Sequence, residues 1–315
     1  MNTKSSFANL VRSANGAYST AYGPFVLQSA LQPIFEQYPD GILDIVAFEG
    51  LARASRDGMA FPPAQFFPLV APEDLCGLDS LLRSLHILNT GRLNRTRARI
   101  FVKFQPGLLV TAAAMHLEVE HLRLAAHEAG MSVDRIVCEV SAKDDLTASI
   151  ALRFAHYIRA TGFRIAVTDY GAQDNDIAFV RAMHPDYVKF DSRWVRDFMH
   201  NSAGFALLKV IVRQFADDGI RPIFEGLEDE DQVALCRDLD VPLVQGYALA
   251  RPELAPTTFN ERFPEMLVPP SPAAQREPPL FLATPRDERA DEASQPRATQ
   301  PRPRAARAFG RRTAG

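Results

Sequence analysis

RIAVTDYGAQDNDIAFVRAMHPDYVKFD, residues 164–191, decides the fold. A β-branched run (164–170) is followed by a segment with helical apolar spacing and then by a second short run (187–191). The separation is too long for a hairpin, so the two strands lie parallel with the helix as crossover. The same unit recurs on both sides. Strand-like runs occur at LQPIFEQ (31–37), LDIVAFEGLAR (43–53), RIFVKFQ (99–105), RIVCEVS (135–141), RPIFEG (221–226) and LVQGYAL (243–249). With the two in the first stretch they make eight, the number that closes a (β/α)8 barrel.

Between the runs, apolar residues recur at spacings of three and four, as in Leu78, Leu81, Leu82, Leu85 and Leu88, and in Leu207, Leu208, Ile211, Val212 and Phe215. These predict helices that cover the sheet. The first two runs are joined by Tyr38-Pro39-Asp40-Gly41, too short for a helix, so a hairpin replaces one βαβ unit. The expected fold is therefore an α/β, TIM-like barrel with one antiparallel strand. It is expected to span residues 28–262, after an N-terminal segment (1–27) and before a Pro/Arg-rich tail (263–315) whose composition predicts disorder.

Composition narrows the function by exclusion. A net charge of -3 gives no global attraction to nucleic acid or anionic lipid. No apolar run reaches the roughly 18 residues of a membrane span, and residues 1–18 carry no compact apolar block, so a cytoplasmic location is expected. Cys76, Cys138 and Cys236 are odd in number and lack CxxC spacing, which is expected of buried free thiols rather than a disulfide framework or zinc site. The chain contains no GxSxG, P-loop, GxGxxG or HExxH motif. Beyond Gln295 the tail holds six arginines and no acid, a polybasic end able to contact an acidic surface or to remain merely solvated.

The strand ends carry the signal. Active sites of barrels lie where the carboxyl-terminal strand ends meet. Seven consecutive runs end in polar groups: Glu49, Lys103, Glu139, Thr168 with Asp169, Lys189 with Asp191, Glu225 with Glu228, and Gln245. A single such Glu reads as a structural ion pair. Seven converging ends read as a site.

Taken in order, LQPIF, FEGLAR, PPAQFFPL, FVKFQP, VCEVS, VTDYG, HPDYVKFD, FEGLEDEDQ and VQGYALARP resemble the motifs of the EAL-domain family of cyclic-di-GMP phosphodiesterases over about residues 30–255. The name-giving Glu-Ala-Leu stands here as Glu49-Gly50-Leu51. The resemblance implies hydrolysis by a water held between two magnesium or manganese ions, which requires several hard oxygen ligands. It carries metal-ligand positions onto Glu49, Glu139 and Asp169, and catalytic positions onto Lys189 and Glu225. It carries nucleotide-binding positions onto Gln32, Leu51, Arg53, Arg251 and Pro252. Of these, Arg53 binds phosphate without a metal, or else pairs with a neighbouring acid at a helix start.

The departures cluster on the metals. Where the family has an asparagine ligand this chain has Lys103, and where it has a bridging aspartate this chain has Thr168. An ammonium has no lone pair to give, and a hydroxyl is a poor substitute for a bridging carboxylate. Ala142 replaces a family glutamate, and the loop 169–176 has lost the family's glycine pattern. Lys103 is then expected to lie among Glu49 and Glu139 as an internal counter-ion, or to snorkel to solvent. The expectation is a degenerate, non-hydrolytic regulatory member with no cofactor, acting through cyclic-di-GMP, a protein partner or a homodimer. The rival is an active phosphodiesterase requiring magnesium or manganese. An unrelated barrel enzyme with Lys103 or Lys189 as Schiff-base nucleophile is disfavoured by the surrounding carboxylates, which keep a lysine protonated.

Overall fold

The computed structural model describes residues 9–38, 40–141, 144–172 and 176–266. Ala142, the centre of the 169–176 loop and the Pro/Arg-rich tail from Leu267 lie outside the described residues. The chain divides into two units, Met1–Pro270 and Ser271–Gly315, and the first of them holds the whole barrel.

Strand structure begins earlier than the apolar runs predict. β1 (Val11–Arg12), β2 (Tyr18–Tyr22) and β3 (Phe25–Gln37) form an antiparallel meander, and β3 turns back into β4 (Leu43–Arg56). The reversal is closed by Tyr38 N–H donating to Ile42 O at 3.0 Å and Gly41 N–H donating to Tyr38 O at 2.9 Å. Gly41 sits at φ +83°, where a side chain would be strained. β5 (Met59–Phe61) then pairs antiparallel with the end of β4. The added halves of β3 and β4 project past the barrel and bury Phe25, Leu27 and Ala54 against Phe66 of α1 (Pro63–Phe66) and Leu78, Leu82 and Leu85 of α2 (Leu75–Gly91). The alternation in this extension, buried at Phe25 and Leu27 but exposed at Val26, is the period-two pattern of a half-buried strand.

The remainder alternates strand and helix. β6 (Arg99–Phe104), α3 (Ala112–Glu128), β7 (Ile136–Val140), α4 (Asp145–Ala160), β8 (Arg164–Tyr170), α5 (Asp176–Met183) and β9 (Tyr187–Phe190) follow one another. Two helices, α6 (Ser192–Met199) and α7 (Ser202–Asp217), precede β10 (Arg221–Leu227), and α8 (Glu230–Asp238) precedes β11 (Leu243–Gly246). From β4 through β11 every barrel pairing is parallel, while β3 is antiparallel to β4 and to β11, which closes the ring. The single antiparallel strand is the one the short Tyr38–Gly41 turn predicts. β12 (Glu253–Leu254) pairs back onto β3, and α9 (Phe259–Arg262) follows it. No helix among the described residues is long and apolar enough to cross a membrane.

The barrel interior is set by strand parity. Ile34, Ala47, Phe101, Val137, Ala166, Tyr187, Ile223 and Leu243, one from each barrel strand, form one buried cluster. The Phe101 and Tyr187 rings meet edge to face across it at 5.1 Å. This layer floors the interior with apolar surface. Because side chains alternate along a strand, the next inward position is two residues on, or two back on the reversed β3. Those positions are Gln32, Glu49, Lys103, Glu139, Thr168, Lys189, Glu225 and Gln245. One apolar layer thus places eight polar side chains at the mouth above it.

Candidate functional site

Lys189 is the centre of that polar layer. Its side chain is fully buried, and Nζ lies 2.9 Å from Glu49 Oε2, 3.3 Å from Glu139 Oε1 and 2.9 Å from Glu225 Oε2. Gln245 Nε2 adds a 2.9 Å hydrogen bond to the same Glu49 oxygen. The other oxygen, Oε1, faces Lys103 Nζ at 3.2 Å. The Lys103 side chain is 57% exposed, so it rides on the rim, where solvent screens it. Inward placement and snorkelling are both partly realised: the stem climbs toward water while the ammonium keeps contact with Glu49. The register explains the contact, since β4 pairs with β6, and Lys103 pairs opposite Glu139 on β7.

The charges respond accordingly. Burial pushes the Glu49 carboxyl up, but Lys189 and then Lys103 outweigh it and hold the group well below the usual carboxylate range. Glu139 goes the other way. Burial dominates, and proximity to Glu49 adds to it against the opposing pull of Lys189, so its pKa is raised. Burial opposes the charge on Lys189, but Glu139, Glu225 and Glu49 together keep it well above the ordinary lysine value. Lys103 is raised by Glu139 and Glu49.

As arranged, lysine ammoniums occupy the carboxylates of this donor set. Both Glu49 oxygens and Glu225 Oε2 are engaged by ammonium or amide groups, and Lys103, Thr168 and Gln32, none of them a carboxylate, stand at other inward positions. Glu139 Oε2 and Gln245 Oε1 are buried without a hydrogen-bond partner, and of these two only the first is a carboxylate oxygen, where a two-metal site needs several hard ligands. Among the described residues, no group of three His, Cys, Asp or Glu side chains is arranged to hold a metal ion. Asp169, expected as a ligand, is exposed, has φ +62°, and lies past the inward position of β8 that Thr168 occupies.

Two cavities open at this mouth and share Leu51 and Lys103 as a divider. The first, about 310 Å³, is lined by Arg53, Arg83, His86, Glu139, Thr168 and Asp169 among others. The second, about 270 Å³, is lined by Gln32, Glu49, Glu225, Gln245 and Tyr247. Gln32, Leu51 and Arg53 are thus brought to the mouth, and Arg53 stands on β4 rather than at a helix start. Its guanidinium donates to its neighbour Ala52 O at 3.0 Å. Arg251 and Pro252 line neither cavity. Arg251 instead lies 4.4 Å over the ring of Tyr247, which does line the second. Two of the polar strand-end residues contact the neighbouring helix α6, Glu228 while also lining the second cavity. Asp191 caps α6 by accepting from Arg193 N and Trp194 N. Glu228 lies past the end of β10 and pairs with Arg196 at 3.0 Å.

The wall of the first cavity contains residues the sequence did not single out. Arg83 is buried on α2; it pairs with Asp79, donates to Glu118 Oε1 at 2.7 Å and to Lys103 O at 3.2 Å, and stacks 4.1 Å from the Phe104 ring. It ties α2 and α3 to the end of β6. The available signal was Asp79 and Arg83 at i, i+4, on a helix otherwise read for its leucines. His86, buried one turn later, lies 2.7 Å from Ser29 Oγ. Burial, then Arg53 and Arg83, push its pKa down to about 3, so it is neutral at physiological pH. A Cβ at Gly50 would fall 2.5 Å from His86 Cγ. The imidazole occupies the space of the methyl that the Glu-Ala-Leu motif carries, which accounts for glycine at that position.

The EAL domain family profile matches residues 27–252. The chain is 25% identical over 229 residues to a probable cyclic di-GMP phosphodiesterase, PdeA, of Escherichia coli strain K12, covering 70% of this chain and 30% of that protein. It is 26% identical over 173 residues to the cyclic di-GMP phosphodiesterase NbdA of Pseudomonas aeruginosa, covering 54% of this chain and 21% of the relative. The chain therefore spans under a third of the length of these relatives. Among solved structures, the manganese and cyclic-di-GMP complex of BlrP1 from Klebsiella pneumoniae superposes with a TM-score of 0.64 at 25% identity, covering 78% of this chain and 59% of that one. The phosphodiesterase PaMucR in complex with c-di-GMP superposes at 0.61 and 22% identity, over 73% and 92% respectively, a likeness of fold.

Proposed function

The chain belongs to the EAL domain family, and within that family we propose that it acts as a regulatory binding module that does not hydrolyse cyclic-di-GMP. One observation carries this reading: the carboxylates at the metal-ligand positions Glu49 and Glu139, with Glu225, are neutralised by tethered ammoniums, Lys189 at the centre and Lys103 at the rim. A divalent ion entering this mouth has to displace Lys189 from three carboxylates and then find ligands at Lys103 and Thr168, where no anionic oxygen is available. Two-metal hydrolysis needs both ions to polarise the phosphate and lower the pKa of the attacking water. Lys103, Thr168 and the remnant ligands Glu49, Glu139 and Asp169 are therefore assigned to a mouth organised by lysine.

Binding requires less than hydrolysis. Gln32, Leu51 and Arg53 face the two cavities, and a guanidinium holds a phosphate without metal. Cyclic-di-GMP is the ligand class that the family points to, with Arg251, and Pro252 next to it in the chain, assigned to the edge of the second cavity through the Tyr247 ring that Arg251 covers. A protein partner or a second copy of the chain is the receiver of the signal. Calorimetry of the chain with cyclic-di-GMP, with and without magnesium, tests this. The expected result is a saturable heat that magnesium does not alter and that Arg53→Ala weakens. Binding that appears only with magnesium would contradict it.

An active enzyme is the second reading, favoured by the presence together of Glu49, Glu139, Asp169, Lys189 and Glu225. It requires Lys189 to leave its three carboxylates when magnesium or manganese enters.

A further inference from the structure

Arginine begins or immediately precedes four barrel strands: Arg99 before Ile100, Arg135 before Ile136, Arg164 before Ile165 and Arg221 before Pro222. Each is two residues before the apolar layer of Phe101, Val137, Ala166 and Ile223, so strand parity carries all four to the end of the barrel opposite the nucleotide mouth. Three are satisfied. Arg135 donates to Ala98 O and Arg95 O at 2.7 Å, Arg164 pairs with Asp186 at 2.6 Å, and Arg221 pairs with Glu36 at 2.6 Å.

Arg99 is different. Among the described residues its side chain has no hydrogen bond or ion pair, and its Nε is buried without an acceptor. The Nε of Arg97 is likewise buried and unpartnered, although its Nη2 reaches Asp44 at 3.1 Å. Arg97, Arg99 and Arg135 line one cavity of about 380 Å³ together with Ser132 and Tyr38. Its acids are Asp134 and Glu36, and Glu36 is already held by Arg221 and by the Tyr38 hydroxyl at 3.2 Å. Buried N–H donors without acceptors are costly, and a guanidinium fork matches the two oxygens of a carboxylate or phosphate.

We propose that this cavity, at the amino-terminal end of the barrel, is a second ligand site that takes a small oxyanion, a phosphate or carboxylate group, on Arg99 with support from Arg97. The ligand completes the donors that the fold leaves open there. The site is independent of the mouth: Arg99 and Lys103 lie at opposite ends of β6, roughly 13 Å apart at the rise of an extended strand.

The test is calorimetry of the full chain with inorganic phosphate and, separately, with citrate, against sodium chloride at matched ionic strength. A saturable heat with either anion, weakened about tenfold or more by Arg99→Gln and less by Arg99→Lys, is expected. The anion that saturates identifies the class, phosphate or carboxylate. Arg99→Gln removes no ion pair, and a thermal melt of that variant without anion checks that it folds. No heat above the chloride control, or binding unchanged in Arg99→Gln, would overturn the proposal. So would binding lost equally in Arg53→Gln, since that places the anion at the nucleotide mouth.

Discussion

Replacing Lys189 by methionine keeps most of the side-chain volume and removes the charge that three carboxylates share. Glu49 Oε2, Glu139 Oε1 and Glu225 Oε2 lie within 3.3 Å of its ammonium. Breaking a buried pair by removing one partner costs about 3–5 kcal/mol. Here Lys103 still contacts Glu49 but is more than half exposed and offsets little. The expected loss at pH 7.5 is about 3–5 kcal/mol, a fall in melting temperature on the order of 10 °C for a barrel of this size. The pH dependence separates this cause from simple mispacking. In the wild type, the depressed pKa of Glu49 contributes stability that is present above the ordinary carboxylate pKa and lost as pH falls through the folded value. The raised pKa of Lys189 contributes stability that is present below the ordinary lysine pKa and is lost only in strong alkali. Without Lys189 the carboxylates titrate at higher pH and the variant regains stability on acidification, so the gap to wild type narrows from pH 7.5 to pH 5. Urea denaturation at the two pH values measures it. A loss below about 1 kcal/mol, or a gap that widens on acidification, would refute the reasoning.

Gly50→Ala is expected to cost about 1–3 kcal/mol, because the new methyl meets His86 at 2.5 Å, and to cost far less in a His86→Ala background; denaturation of the four proteins of the cycle checks the coupling. Lys103→Asn alone is expected to leave magnesium or manganese binding undetectable by calorimetry, since Thr168 still lacks a carboxylate, whereas Lys103→Asn with Thr168→Asp supplies both missing ligands and gains measurable affinity. Equal metal binding by the single and double variants would show that Thr168 is not the limiting position.

The barrel was legible because each parallel strand is a short apolar run with a helix-period segment after it, and because the short Tyr38–Gly41 turn leaves no room for a helix. The polar mouth was legible for the same reason: one parity rule places Glu49, Lys103, Glu139, Lys189 and Glu225 on the inward face. Their division of labour was not. Lys103 and Lys189 look alike in sequence, and the resemblance directed attention to Lys103 as the counter-ion. Lys103 does contact Glu49 as expected, but its side chain is exposed, while the fully buried Lys189 reaches all three carboxylates. His86 and Arg83 were hidden because α2 reads as a leucine-rich covering helix, and a buried imidazole opposite Gly50 has no local signature. The extension of β3 back to Phe25 was missed because FVLQSA carries polar residues among its apolar ones, and the lobe formed by α1 and α2 covers only one face of it.

Incubation of the purified chain with cyclic-di-GMP in magnesium or manganese, followed by chromatographic detection of the linear dinucleotide, tests most directly whether lysine has replaced metal at this mouth. No linear product above the metal-free control is the predicted result. Turnover that disappears in Glu49→Ala would contradict it, because Glu49 would then be a metal ligand rather than the partner of Lys189 and Lys103.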